Sequence, residues 1–290
     1  MSAQGDRSGE PSLTPPVSHE DLKEVLARGA LSIEGRLMSA SNATLLAIAE
    51  LDGVEVTCVY KPTSGERPLW DFDEGTLGMR EVAAHEVSTA LGWNIVPPTV
   101  WREDGPFGQG MAQAWVNSPD DAEPEPGAGL VDIVDRDRTP HGWLEVVEAQ
   151  GENGRPITLI HADHPDLRRM CVFDAIINNA DRKGGHVLVG RVRPGDEVRT
   201  YGVDHGVTFS TDEKLRTVLW GFAGTELDGQ MMVDLEHLAA DLGEHLGEAL
   251  SELLTRRELA RTSQRLSRLM REGAYPLPGD GWPSLPWPAF

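Results

Sequence analysis

Cysteine is nearly absent from this chain: 290 residues contain two, Cys58 and Cys171, each inside an apolar run. Two such thiols supply neither a disulfide framework nor a zinc-ligand set, so each is expected to behave as a small buried hydrophobe. Lysine is also scarce, since the 26 basic residues include only Lys23, Lys61, Lys183 and Lys214. Acidic residues number 47, and the net charge of −21 opposes long-range attraction to nucleic acid or to an anionic membrane surface. A phosphate-bearing ligand therefore has to be held locally, by placed cations or metal. No apolar run reaches membrane-spanning length, and no apolar stretch follows Met1-Ser-Ala-Gln-Gly-Asp-Arg7, so a transmembrane segment and a secretory leader are not expected and the cytoplasm is the expected location. Walker and G-x-G-x-x-G motifs are missing too, and no internal repeat is present.

What the chain does contain divides it into segments. Residues 1–17 are Ser/Gly/Pro-rich and are expected to be a disordered tail. Residues 18–116 form the first unit. Ser18 with Asp21 suits a helix start, Leu22, Val25 and Leu26 supply one apolar face, and Gly29 ends it. A three-stranded meander follows over Ile33–Met38, Thr44–Leu51 and Val54–Lys61, with the Asp52-Gly53 pair as the hairpin turn. Met79–Leu91 is expected to be a helix stopped by Gly92, and Ile95–Trp101 and Gly110–Val116 short strands.

Residues 117–165 begin with an acidic, Pro-rich run and are expected to be a linker or insert. The second unit, 166–274, is expected to be mainly helical apart from its motif region. Leu167–Asn178 is too apolar for a surface helix. Leu235 to Leu253 and Leu259 to Leu269 form amphipathic stripes. Residues 275–290 are a Pro/Trp-rich tail without periodicity.

The chemistry concentrates in Asn179-Ala-Asp181-Arg182-Lys183-Gly-Gly-His186 and in Tyr201-Gly-Val-Asp204-His205-Gly206. A hairpin of 187–192 with 198–203 brings Asp181 and Asp204 to the same end of two paired strands. Asp181 can accept the proton of an attacking hydroxyl, while His186 and Asp204 can hold a metal on nucleotide phosphates. Lys61, at the end of a strand, is the expected phosphate cation. Its expected partner is Glu81 on the next helix, with Glu86 the second choice. The small-residue run Ser39–Asn42, including Ser41, is a candidate phosphate cover, although on sequence grounds alone a hairpin turn is the better reading. A competing cluster, His161, Asp163 and His164 with His186, Asp204 and His205, suits a hydrolytic metal centre.

These residues resemble the phosphatidylinositol 3-/4-kinase-like branch of the protein kinase-like fold, in particular its actinobacterial members. The resemblance spans about residues 32–210 and rests on Val59-Tyr-Lys61-Pro62, Arg80-Glu81-Val-Ala-Ala-His-Glu86, Asn179-Ala-Asp181-Arg182 and Val203-Asp204-His-Gly206. It implies an α+β, two-lobed fold with a small antiparallel-sheet N-lobe and a mainly helical C-lobe. It also implies ATP held by Lys61 and Glu81, with adenine against Met111–Val116, where Gln113 and Trp115 sit. By the same resemblance Asp181 would be the catalytic aspartate, with Arg182 and Lys183 beside it in the loop, and Asp204 would coordinate magnesium. The sequence departs from the family at His186, where the pattern has asparagine, and imidazole suits manganese better than magnesium. The expected activity is transfer of the γ-phosphate of ATP, with Mg or Mn, to a hydroxyl acceptor that the sequence leaves open among lipid, protein and small molecule. The alternative is a pseudokinase that binds nucleotide and acts as an interaction module.

Overall fold

The computed structural model describes residues 18–37, 42–119, 126–151, 154–279, 281 and 283–290. Helix α1 (His19–Arg28) opens on a reciprocal cap: the Asp21 amide donates to Ser18 Oγ at 3.1 Å, and the Ser18 amide donates to the Asp21 carboxylate at 2.9 Å. Its apolar face, Leu22, Val25 and Leu26, is buried against a five-stranded antiparallel sheet.

That sheet comprises β1 (Ala30–Arg36), β2 (Leu45–Leu51), β3 (Val54–Pro62), β4 (Thr99–Arg102) and β5 (Gly110–Ala114), in the order β1-β2-β3-β5-β4. The β2–β3 turn has positive φ at both Asp52 (52°) and Gly53 (82°), the geometry whose twist matches a two-residue hairpin. Strand β4 is shorter than its sequence suggests: Pro97 and Pro98 cannot donate to a ladder, so pairing begins at Thr99. Between β3 and β4 lies α2 (Leu77–Ala90). No side chain at Thr76 caps it. The carboxylate of Glu66 instead reaches across to accept the amides of Leu77 (3.2 Å) and Gly78 (3.0 Å).

Within the linker or insert expected over 117–165 the structure holds regular strands. A second antiparallel sheet stands there, made of β6 (Val131–Asp135), β7 (Trp143–Gln150) and β8 (Pro156–Ala162) in the order β6-β8-β7. Strand β7 is half-buried or exposed along its whole length, so it lacks the alternation that marks a one-sided strand. Helix α3 (Pro165–Ile177) follows, with proline in its first turn, and ends at Asn178 in a left-handed cap (φ 53°). Next comes the hairpin of β9 (Val187–Gly190) and β10 (Arg199–Gly202), in which Val187 pairs with Gly202. Helices α4 (Gly229–Asp241), α5 (His245–Ser251) and α6 (Arg256–Glu272) follow, and the leucine stripe of 235–253 is divided between α4 and α5 and the turns after them.

Two hydrophobic cores result. The first joins α1 to the five-stranded sheet and takes in Val192 and Tyr201 from the β9–β10 region. The second gathers α3 to α6 and also claims Ala83, Ala84, Val87 and Leu91 of the α2 region. Each core thus borrows from the other half of the sequence, and the units do not part cleanly at residue 117. Among the described residues, no helix is long and apolar enough to cross a membrane.

Candidate active site

A cleft of about 440 Å³ lies between the five-stranded sheet and the β9–β10 hairpin, within the size range of small-ligand sites. One wall is apolar: Leu37, Val59, Ala114, Val116, Leu188 and Val203. The other end carries Lys61, Asp181, Lys183, His186 and Asp204. Lys61 and Asp204, 143 positions apart in sequence, therefore converge on one space.

Lys61 extends from β3. Its ammonium contacts Glu81 Oε1 at 2.5 Å and Asp204 Oδ1 at 2.8 Å. Burial works against its charge, but the carboxylates of Asp204 and Glu81 outweigh burial and hold its pKa above the ordinary value. Glu81 is itself buried, which pushes its carboxyl upward while Lys61 pulls it back. Its second oxygen accepts the backbone amide of His205 at 2.9 Å. Glu86 does not compete for Lys61, since it pairs with Lys23 at 3.4 Å on the α1 side of the helix.

Asp204 follows β10 with φ at 61°, a left-handed conformation that is uncommon outside glycine. Its carboxylate is half exposed, and the Lys61 charge holds it below the usual carboxylate range. His186 Nε2 stands 3.5 Å from Asp204 Oδ2. Burial depresses the pKa of this imidazole to about 4, so it is neutral near pH 7, and its Nδ1 is buried without a hydrogen-bond partner. A neutral ring nitrogen and a carboxylate oxygen this close are a donor pair that one divalent ion can span. The nitrogen suits manganese better than magnesium.

Asp181 shares the cleft. Its amide donates to Asn179 Oδ1 at 3.0 Å, and Lys183 Nζ lies 3.5 Å from its carboxylate. Burial raises its pKa, with the Lys183 charge acting in the opposite direction.

Arg182 does not fit the expectation of a catalytic residue beside Asp181. Its guanidinium is fully buried and does not line the cleft. It makes a two-point contact with Asp174 (2.8 and 2.9 Å), donates to the carbonyls of His186 (3.3 Å) and Val203 (3.2 Å), and meets His205 Nε2 at 2.6 Å. Arg182 is a positioning residue, fixing the backbone at His186 and next to Asp204. Asp174, Asn179 and His205 were not singled out for this role. The available signal was Asp174, the single carboxylate within the apolar run Met170–Ile177 of α3, which demands a buried partner.

Of the remaining expected residues, Gln113 and Trp115 both line the cleft, with Gln113 Nε2 donating to Thr99 Oγ1 at 2.8 Å. Ser41 lies outside the described residues. The competing His/Asp cluster is dispersed. His161 Nε2 accepts the Gly221 amide at 3.1 Å, Asp163 pairs with Arg168 at 2.7 Å, and His164 caps α3. None of the three lines the cleft.

No family model matches the chain. It is 48% identical over 274 residues to Protein Rv2133c of Mycobacterium tuberculosis (strain ATCC 25618 / H37Rv), a match that covers 93% of this chain and 96% of that protein.

Proposed function

The chain belongs to the family of the mycobacterial Protein Rv2133c, and from the chemistry of the cleft we propose that it is an ATP-dependent phosphotransferase with a two-lobed, protein kinase-like architecture. The observation that carries this reading is the bridge from Lys61 to both Glu81 (2.5 Å) and Asp204 (2.8 Å), set in one cleft with Asp181. A lysine held between a helix glutamate and a metal-binding aspartate is the phosphate grip of phosphotransferases of this type.

Adenine lies against the apolar wall, beside Gln113 and Trp115, and Lys61 takes the α- and β-phosphates. Asp204 and His186 would hold a divalent ion, Mg or Mn, whose charge would neutralise that of the phosphates. Asp181 orients the acceptor hydroxyl and takes its proton as the new O–P bond forms and the bond from the γ-phosphorus to its bridging oxygen breaks, releasing ADP. The raised pKa of Asp181 favours proton acceptance, because a more basic carboxylate is a better base once ionised. With a net charge of −21, a soluble acceptor or a protein side chain fits better than a headgroup on an acidic bilayer.

Phosphate transfer from γ-labelled ATP is the test. Asp181→Ala is expected to bind nucleotide with unchanged affinity and to transfer phosphate at least ~100-fold more slowly, the usual cost of losing a general base. Wild-type turnover in that variant removes the assignment.

A second reading, a nucleotide-binding pseudokinase, is favoured by His186 in the position of asparagine. It calls for a thermal shift with ATP plus Mg²⁺ or Mn²⁺ and no transfer to any acceptor or to the protein itself.

A further inference from the structure

The Pro/Trp-rich stretch 275–290 has no part in the chemistry above, yet its last residues run directly beneath the loop that carries Lys183 and His186. The Gly184 amide donates to the Ala289 carbonyl at 2.8 Å. The Phe290 ring packs over Gly184 so closely that a Cβ built on that glycine lies 2.3 Å from the ring. The same ring is 3.1 Å from a Cβ built on Gly127, which places it between two turns.

The two loop glycines therefore differ in purpose. Gly184 has no left-handed backbone to demand glycine, so the side chain it lacks is the space that Phe290 fills. Gly185 has nothing within 4 Å of its would-be Cβ and lines the cleft.

The segment also grips the opposite flank of the loop. Ser284 O accepts the Thr217 amide (3.2 Å) and Trp220 Nε1 (2.7 Å). The neighbouring Arg216 is hydrogen-bonded to the loop through its amide to Asn179 O (2.9 Å) and its carbonyl to Arg182 N (3.0 Å). Leu285, Ala289 and Phe290 pack on the larger core, which anchors the whole arrangement.

We infer that residues 284–290 are a positioning element of the active site, with Phe290 and Ala289 fixing the loop between Asp181 and His186. A loop with two adjacent glycines has unusual freedom, and a seated ring and one amide bond remove it. A displacement of about 1 Å at a reacting group is enough to cost on the order of 100-fold in rate. The activity arm of this inference rests on the phosphotransferase reading, and the structural arm does not.

Both arms are tested on the full chain with Phe290→Ala, Phe290→Tyr and Gly184→Ala, and with residues 284–290 deleted. Amide hydrogen exchange over 183–187 is expected to quicken at least ~10-fold in Phe290→Ala and in the deletion, with α1 and β1–β3 unchanged. Gly184→Ala is expected to expel the ring and reproduce that local effect, and Phe290→Tyr to restore wild-type exchange. In the same proteins, kcat for phosphate transfer is expected to fall ~10- to 100-fold while nucleotide affinity stays within about twofold. Unchanged exchange over 183–187 in folded Phe290→Ala, or a quickening spread over the whole chain, overturns the inference. Quickened local exchange in a protein that transfers no phosphate even as wild type upholds the positioning role and removes the enzymatic reading of the cleft.

Discussion

Glu81 and His205, 124 positions apart, are joined by one hydrogen bond from the His205 amide to Glu81 Oε2 at 2.9 Å, while Glu81 Oε1 holds Lys61. One buried carboxylate thereby sets both the Lys61 ammonium and the backbone next to Asp204.

Removing that carboxylate should be costly. Glu81→Ala leaves the His205 amide without its acceptor and Lys61 with Asp204 alone, so a loss of about 3 kcal/mol is expected, the low end for breaking a buried pair. Glu81→Gln keeps an acceptor for one of the two donors and should lose roughly half as much. Urea midpoints at constant m-value decide the matter, and a wild-type midpoint for Glu81→Ala refutes it.

The residue before Glu81 ties the same helix to the far side of the molecule. Arg80 donates to Glu258 at 2.6 Å and to Thr208 O at 2.8 Å, and both members of the ion pair are buried. Arg80→Met and Glu258→Met should each destabilise by about 3–5 kcal/mol, and the double substitution by less than the sum of the two, because no charge is then left unpaired. Additive losses would show that the two side chains act independently.

His186 sets the metal preference under the proposed reading. Replacing an imidazole by an oxygen donor in His186→Asn should raise the ratio of Mg²⁺- to Mn²⁺-supported transfer roughly tenfold or more. An unchanged ratio would mean that His186 does not touch the ion.

Acid should weaken the fold through its buried neutral histidines. Burial lowers the pKa of His186 to about 4 and also lowers those of His205 and His161. The unfolded chain takes up protons near the ordinary value of 6.5 while the folded chain does not. Stability is therefore fully present above that value and declines as pH falls from 6.5 toward 4. Melting temperature followed between pH 7 and 5 should drop, with a shallower slope in His186→Asn. A flat profile in the wild type contradicts the burial of these neutral rings.

Sequence was most informative where local chemistry is self-contained. Ser18 with Asp21 and Asp52 with Gly53 carry their own geometry, and the α1 cap and the β2–β3 turn form as expected. The convergence of Lys61, Glu81, Asp181 and Asp204 was legible because a lysine-poor chain makes each lysine informative and because strand pairing fixes which loops share an end. The second sheet was not legible, since exposed β7 lacks a periodic apolar face. Nor was the role of Arg182. Only the fold shows that its guanidinium points inward to Asp174 while Asp181, one residue earlier, faces the cleft.

The interleaving of the two cores also bears on how the protein is made. Val192 and Tyr201 close one side of the first core, and part of α2 packs into the second core with α4 and α5. During synthesis from the N-terminus, the five-stranded sheet emerges with that flank uncovered, and about ninety further residues must leave the ribosome before Tyr201 can seal it. The first 116 residues are thus expected to expose apolar surface during translation, and that side of the first core is covered only once residues 192–201 have been made.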